Sequence, residues 1–403
     1  MSLSSAMFTA VSSLKAQSRA LSVISNNLAN SGTTGYKTVT TSFSSLVTQM
    51  YNGTNYPGAG VTSSARQHVA NQGKIEGTAK TTDIALDGNG MFLVRRGTGD
   101  DSLYFSRNGE FQQDNEGYLV NNNYYLLGWP TDSTGKVVST QSSAALERIN
   151  VTKNISSIQP SSAATVKADL GPSTAIGGKS TSSMEVYDAL GNLHTVTSTW
   201  EKTATNTWTL GFSCPDGTSS LGATPLNFDG TGKLTSPSPA NITLPFNWTN
   251  GAAASSIVID LTNVTQTNKS VGVDQVSATT NGHTTGKLLG VSISNDGAVT
   301  ATYDNGESLP IYRVAVATFA NYDGLSALSH GIYQKSRDSG DYSLHTAGAG
   351  GSATVKGSSL ESSTVDTADD FSRMIVAQQA YSASSQVIKS AKDMYDTLLS
   401  AVR

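Results

Sequence analysis

Met7, Leu14, Leu21 and Leu28 recur at a strict seven-residue step within a stretch, 3–30, that holds neither proline nor glycine, and Leu3, Ala10 and Ile24 form a companion row. That spacing writes an α-helix with one narrow apolar seam. The far end of the chain repeats the design: Met374, Tyr381, Ile388, Tyr395 and Val402 keep the seven-residue step, while Ala377, Ser384, Ala391 and Leu398 fill a second row. Large and small rows alternate, which lets a partner helix approach closely. The second helix is expected to begin at Ser362 or Ser363, with Asp366, Asp369 and Asp370 near its positive end. Each seam is narrower than the roughly three positions in seven that a helix presents to its own domain's core. The seams therefore predict helices that pack in an assembly, with Met7, Leu14, Leu21, Ile24, Leu28, Met374, Tyr381, Ile388, Tyr395 and Leu398 as the expected assembly interface.

Between the helices the chain reads as β. Turn pairs recur at Asp87-Gly88, Asn108-Gly109, Asp216-Gly217, Asp229-Gly230, Asn281-Gly282, Asp296-Gly297, Asn305-Gly306 and Asp323-Gly324, flanked by short alternating runs that signal hairpins. One strand cluster precedes residue 130 and another follows residue 285. The Ser-, Thr- and Ala-rich segment between them, from about 150 to 283, carries its own hairpins and reads as a β domain inserted into the other. Residues 38–80, with "NGTNYPGAG", read as an extended linker.

At 403 residues the chain has room for two or three domains of roughly 150 residues each. Charged residues make up 14%, against about 25% in ordinary soluble proteins, and the formal net charge is -4. Nothing in that balance attracts nucleic acid or an anionic membrane surface. The single cysteine, Cys214, permits no internal disulfide and reads as a loop thiol beside Pro215. No run approaches the ~18 apolar residues of a membrane span, and no basic region precedes an apolar run at the start, so a soluble chain, or one exported with its N-terminus intact, is expected.

The chemistry of a catalyst is missing from the pattern. His68, His194, His283, His330 and His345 show no metal-ligand spacing, and no Gly-x-Ser-x-Gly or Cys-x-x-Cys occurs. "GPSTAIGGKS" places Ser173 where a phosphate loop needs its first glycine, and "LDGNG" and "DNEG" lack the carboxylates of a calcium loop. No catalytic residue, metal or cofactor is implied. A secreted β-rich adhesin would explain the low charge and the hairpins but leaves the terminal seams idle. A self-assembling subunit explains both.

The string "SNNLANSGTTGYK" then becomes informative. Ala29, Asn30, Thr33, Gly35, Tyr36 and Lys37 match an Ala-Asn-x-x-Thr-x-Gly-Tyr-Lys signature; "DIALDGNGMFLV", "FSRNGEF" and "GYLV" follow, and the chain closes on "VKGSSLESSTVDTADDFSRMIVAQQAYSASSQVIKSAKDMYDTLLSAVR". In these segments the chain resembles the rod and hook family of bacterial flagellar axial proteins. The insert, with "VYDALGNLHTVTSTWEKTATNTW", is similar to that of hook subunits, which favours hook over distal rod. The resemblance implies a mainly β fold with long terminal α-helices. Residues 1–37 and 361–403 would pair as a coiled-coil-like assembly domain. Residues 81–147 and 284–360 would form a discontinuous middle β domain, and 148–283 an inserted, barrel-like outer domain. It also implies a structural subunit that polymerises with itself into a curved, flexible tube passing motor torque to the filament. Its partners would be the hook cap, the distal rod, the hook–filament junction proteins and the type III export apparatus, and its location the extracellular flagellar hook. In the signature, Gly32 and Gly35 are expected to break the helix, Asn30, Thr33 and Thr34 to satisfy freed backbone groups, and Tyr36 to re-enter an apolar contact.

Overall fold

A computed structural model describes residues 3–47, 58–97, 99, 101–138, 142–153, 158–267 and 273–401. Val402 and the 48–57 part of the expected linker lie outside the described residues. The chain divides into two compact units, one of 1–154, 290–301 and 308–403, the other of 155–289 and 302–307.

In the first unit, helix α1 (Leu3–Ala29) packs on helix α2 (Thr367–Ala401). The pair is antiparallel. Ser13 Oγ meets Ser384 Oγ at 2.9 Å, while near the other end Asn27 hydrogen-bonds Asp370. The residues buried in the pair include the small ones the sequence offered, Ala10, Ala377 and Ala391, with Ala20 and Ile24 beside them. Small side chains let two helix backbones approach closely. Part of the expected seams is thus used within one chain, while Tyr381, Tyr395 and Leu398 stay exposed. α2 starts later than expected: Asp366 Oδ1 accepts the amides of Ala368 and Asp369 at 3.0 and 3.2 Å and caps the helix, with Asp369 and Asp370 in its first turn. Ser362 and Thr364 are instead tied to other backbone, Ser362 N to Lys74 O and Thr364 N to Tyr36 O.

The expected linker is also revised. Strands β1 (Val39–Val47) and β2 (Gly58–Gln67) pair antiparallel as a hairpin that lies on α1. Ser12 Oγ accepts the Val61 amide at 3.1 Å and Arg19 donates to Ser63 O at 2.9 Å. Gly60 is needed here: its φ is +92°, and an added Cβ would sit 2.3 Å from Ser12 Oγ. The hairpin is built from Thr, Ser and Val, so β-branching favours extended backbone although no apolar alternation announces it.

The rest of this unit is β, assembled from segments far apart in sequence. Ser308–Phe319 pairs with Tyr124–Pro130, with Tyr342–Thr346 and, at Val316 and Ala317, with Met91–Arg96. Met91 to Val94 and Val314 to Ala317 are buried at every position, as strands covered on both faces must be. Leu93, Phe105, Trp129, Ala315 and Phe319 share one core, and Phe105 meets Phe319 edge-on at 4.8 Å. Asp296-Gly297 and Asn305-Gly306 sit at hairpin turns with both glycines at positive φ. Asp87-Gly88 does not join neighbouring strands: Ile84–Asp87 pairs instead with Thr354–Gly357.

The second unit holds two five-stranded sheets. One runs Gly217–Thr218, Asn241–Trp248, Ser255–Thr265, Ala163–Leu170, Val273–Thr280; the other runs Lys179–Tyr187, Leu193–Ala204, Thr207–Ser213, Thr224–Phe228, Leu234–Ser236. Alternation along Ala163–Leu170 and Leu193–Ala204 sends every second side chain into a common core that contains Trp200, Trp208, Leu244 and Ile259. One turn design occurs in both units. In "DSTGK", 132–136, and "DGTGK", 229–233, the Asp Oδ1 accepts the Thr amide, the Thr hydroxyl and the Lys amide, and the Gly takes positive φ.

Candidate functional site

The signature segment turns out to be an anchor between the helix pair and the β region of the first unit. α1 ends where Asn30 and Thr33 close turns on Asn26, Asn27 and Asn30 carbonyls, and Gly35 then takes φ +67°. Its amide donates to Glu361 O at 2.7 Å, while a Cβ there would lie 2.9 Å from Asn108 N. Gly35→Ala should therefore cost about 1–3 kcal/mol, from left-handed backbone strain plus collision with backbone that cannot swing away. A thermal melt of the variant that stays within about 1 °C of the parent would contradict this assignment.

Lys37 follows, with a side chain that is 0% exposed, opposite Glu361, also 0%. Lys37 Nζ donates to Glu361 Oε1 at 2.5 Å and to Asn71 O. The same carboxylate accepts Gly73 N at 2.8 Å through Oε1 and Arg107 Nη1 at 3.1 Å through Oε2. Arg107, itself buried, also donates to the carbonyls of Leu86 and Gly88. One carboxylate thus bridges two buried cationic side chains, and burial pushes Lys37 below the ordinary lysine range, with Glu361 opposing that shift.

Asn27, buried inside α1, is the second node. Its Oδ1 accepts Tyr36 Oη and Val39 N, both at 3.1 Å, and its Nδ2 donates to Val39 O at 2.8 Å and to Asp370 of α2. Tyr36 is therefore held by a hydrogen bond as well as by half-burial, and desolvation raises its phenol above the usual range. Of the other signature residues, Asn30 Oδ1 accepts Thr33 Oγ1 at 3.1 Å, and Ala29 is the exposed last residue of α1. Arg107, Glu361 and Asn27 were missed in the sequence. The available signals were a lysine in a sparsely charged chain and one acid in "SSLESS", neither of which names its partner.

The candidate interface residues divide three ways. Ile24 is buried; Met7, Leu14, Leu21, Leu28, Met374 and Ile388 are half-buried along the helix pair; Tyr381, Tyr395 and Leu398 are exposed. The antiparallel register explains Tyr395 and Leu398. Ser13 faces Ser384 only ten positions from the start of α1, whereas α2 runs on for seventeen, so its final turns pass beyond its partner. What the helix pair leaves open is a different stripe. Val376, Ala380, Ala383, Val387 and Met394 fall on one line of α2, about a quarter turn from the buried row, and Leu398 adjoins it where that row runs past α1. Val376, Val387, Met394 and Leu398 are between 47 and 65% exposed. Beside it a groove of about 400 Å³ is lined by Val23, Ile24, Phe43, Val376 and Ala377, with Asp370 among its walls. Burial raises Asp370 above the ordinary carboxylate range, and its Oδ2 has no hydrogen-bond partner among the described residues.

Family models match four segments of the chain. They are the flagella basal body rod protein model at 7–37, the flagellar hook protein FlgE/F/G D1 domain at 85–168, the flagellar basal body protein FlaE D2 domain at 150–283 and the flagellar basal body rod FlgEFG protein C-terminal model at 356–401. The chain is 34% identical to the flagellar hook protein FlgE of Rhizobium meliloti over 100% of both chains. It is also 34% identical to that of Brucella abortus over 100% of both. With that of Salmonella typhimurium it shares 31% over 97% of this chain and 98% of the other. With its insert and both helical ends matched at full length, the chain belongs to the flagellar hook protein family.

Proposed function

We propose that this chain is the repeating structural subunit of a hook, polymerising with itself into a curved tube that passes motor torque to the filament. The observation that carries the reading is the apolar stripe of α2, which the chain's own α1 leaves uncovered and which extends through a heptad-spaced line of side chains. A soluble monomer gains nothing from such a stripe, whereas a neighbouring subunit can bury it. The anchor of Lys37, Glu361 and Arg107 supplies the second requirement. Force entering the helices must reach the β region without a slack joint, and buried, multiply bonded charges fix that joint. The expected partners follow from this role: other copies of the chain, the cap, the distal rod, the hook–filament junction proteins and the type III export apparatus. No helix among the described residues is long and apolar enough to cross a membrane.

Purified protein concentrated under polymerising salt conditions and imaged by electron microscopy should form curved tubes. Sugar-dependent binding by a chain that stays monomeric would instead favour an adhesin. Straight tubes from a chain lacking 150–283 would identify the insert as what distinguishes this subunit from a rod subunit.

A further inference from the structure

The inserted unit carries a cluster of ligand-type side chains that the assembly role does not use. His194 Nδ1, Cys214 and Asp216 present one ligand atom each, all within 4.8 Å of one another. Their spacing in sequence fits no metal motif, because the fold and not a local repeat brings them together. His194 stands on the strand Leu193–Ala204, and Cys214 and Asp216 flank the turn that opens Gly217–Thr218. We propose that these three residues bind a zinc-class divalent ion.

The geometry is that of a prepared site. His194 is 4% exposed and stacks on Trp248 at 4.1 Å. Its Nε2 faces Asp188 Oδ2 at 2.9 Å, and Asp188 is itself fully buried. The amides of Leu190 and Asn192 and the side chains of Asn192 and Asn250 all donate to that carboxylate, so it stands as a fixed acceptor. Nε2 therefore carries the hydrogen in the neutral ring, and Nδ1 turns its lone pair outward. A carboxylate behind one imidazole nitrogen is the usual support for a metal on the other. Nδ1 looks onto Asp216 Oδ2 at 3.3 Å. Two acceptors facing each other repel, yet about 3.3 Å is also the edge between two ligands of a tetrahedral ion with bonds near 2.0–2.1 Å. The turn is held in place, since Thr249 donates to Asp216 O through its amide at 3.0 Å and its hydroxyl at 2.9 Å, and Cys214 bridges to Gly217. Imidazole, thiolate and carboxylate together suit a borderline ion such as Zn²⁺ better than Ca²⁺ or Mg²⁺. Asp216, 58% exposed, leaves the fourth position to solvent water. Binding would displace the Cys214 thiol proton to buffer.

The test uses untagged, metal-free full-length protein with its thiol kept reduced by a phosphine. Isothermal titration should show one Zn²⁺ per chain, and Co²⁺ should give a thiolate charge-transfer band. Cys214→Ser and Asp216→Asn should each weaken Zn²⁺ at least about tenfold, and Asp216→Asn, on the solvent side, should do so with unchanged thermal midpoint. Cys214→Ser should also abolish the Co²⁺ band, and His330→Ala, which is no member of the cluster, should change neither. The proposal is overturned by the absence of stoichiometric binding. It is equally overturned by binding that both variants leave intact.

Discussion

Glu361→Gln is expected to lower the thermal midpoint of the helix-bearing unit by on the order of 10 °C. The variant keeps the shape and one acceptor but removes the carboxylate that faces both Lys37 and Arg107. Two cations, 0 and 2% exposed, are then left in a buried setting with no counter-charge. Breaking a buried pair from one side costs about 3–5 kcal/mol, because the penalty is the uncompensated partner and not the lost attraction alone. A unit of this size shifts roughly 2–4 °C per kcal/mol. Circular dichroism at the helical minimum reads the right unit, since α1 and α2 both belong to it. Lys37→Met should be milder, because it leaves Arg107 and Glu361 as a balanced pair and lets an apolar chain fill the space. An equal or larger loss in Lys37→Met, or a Glu361→Gln midpoint within about 1 kcal/mol of the parent, would show that the cluster does not hold the joint.

The terminal helices were legible because their information is periodic: seven-residue steps at both ends specify helices and place small residues in one row. Which row would be buried, and against what, was not. Met7, Leu14, Leu21 and Leu28 drew attention as the larger side chains, yet close antiparallel approach selects Ala10, Ala20, Ala377 and Ala391. The β hairpin of Val39–Val47 and Gly58–Gln67 was read as linker because Ser and Thr dominate its strands and it docks on α1, a tertiary effect. The signature was recognised as a pattern, but its physics is non-local. Lys37 and Glu361 are 324 residues apart, Lys37 and Arg107 seventy, and nothing in either neighbourhood specifies the meeting. The same holds for His194, Cys214 and Asp216: side-chain chemistry assembled across strands leaves no spacing to read.

The exposed stripe of α2 makes the sharpest test of assembly. Leu21 and Ile388, natural choices from the sequence, are half-buried between the helices, so charging them would disturb the monomer and confuse the two effects. Val387 and Leu398 are 47 and 64% exposed and lie off that contact. Val387→Asp and Leu398→Asp should therefore change the monomer's stability by no more than about 0.5 kcal/mol, as surface substitutions do. In a polymer the same carboxylates would be buried against a neighbour's apolar surface without a partner, a cost of several kcal/mol at every subunit contact. Because each subunit repeats the contact, even about 3 kcal/mol raises the concentration needed for growth more than a hundredfold. Sedimentation and electron microscopy of the variants should find soluble, folded monomer at concentrations where the parent is wholly tubular. Normal tubes from both variants would remove the stripe from the interface, and a large fall in the monomer's midpoint would place Val387 and Leu398 in an intramolecular contact instead.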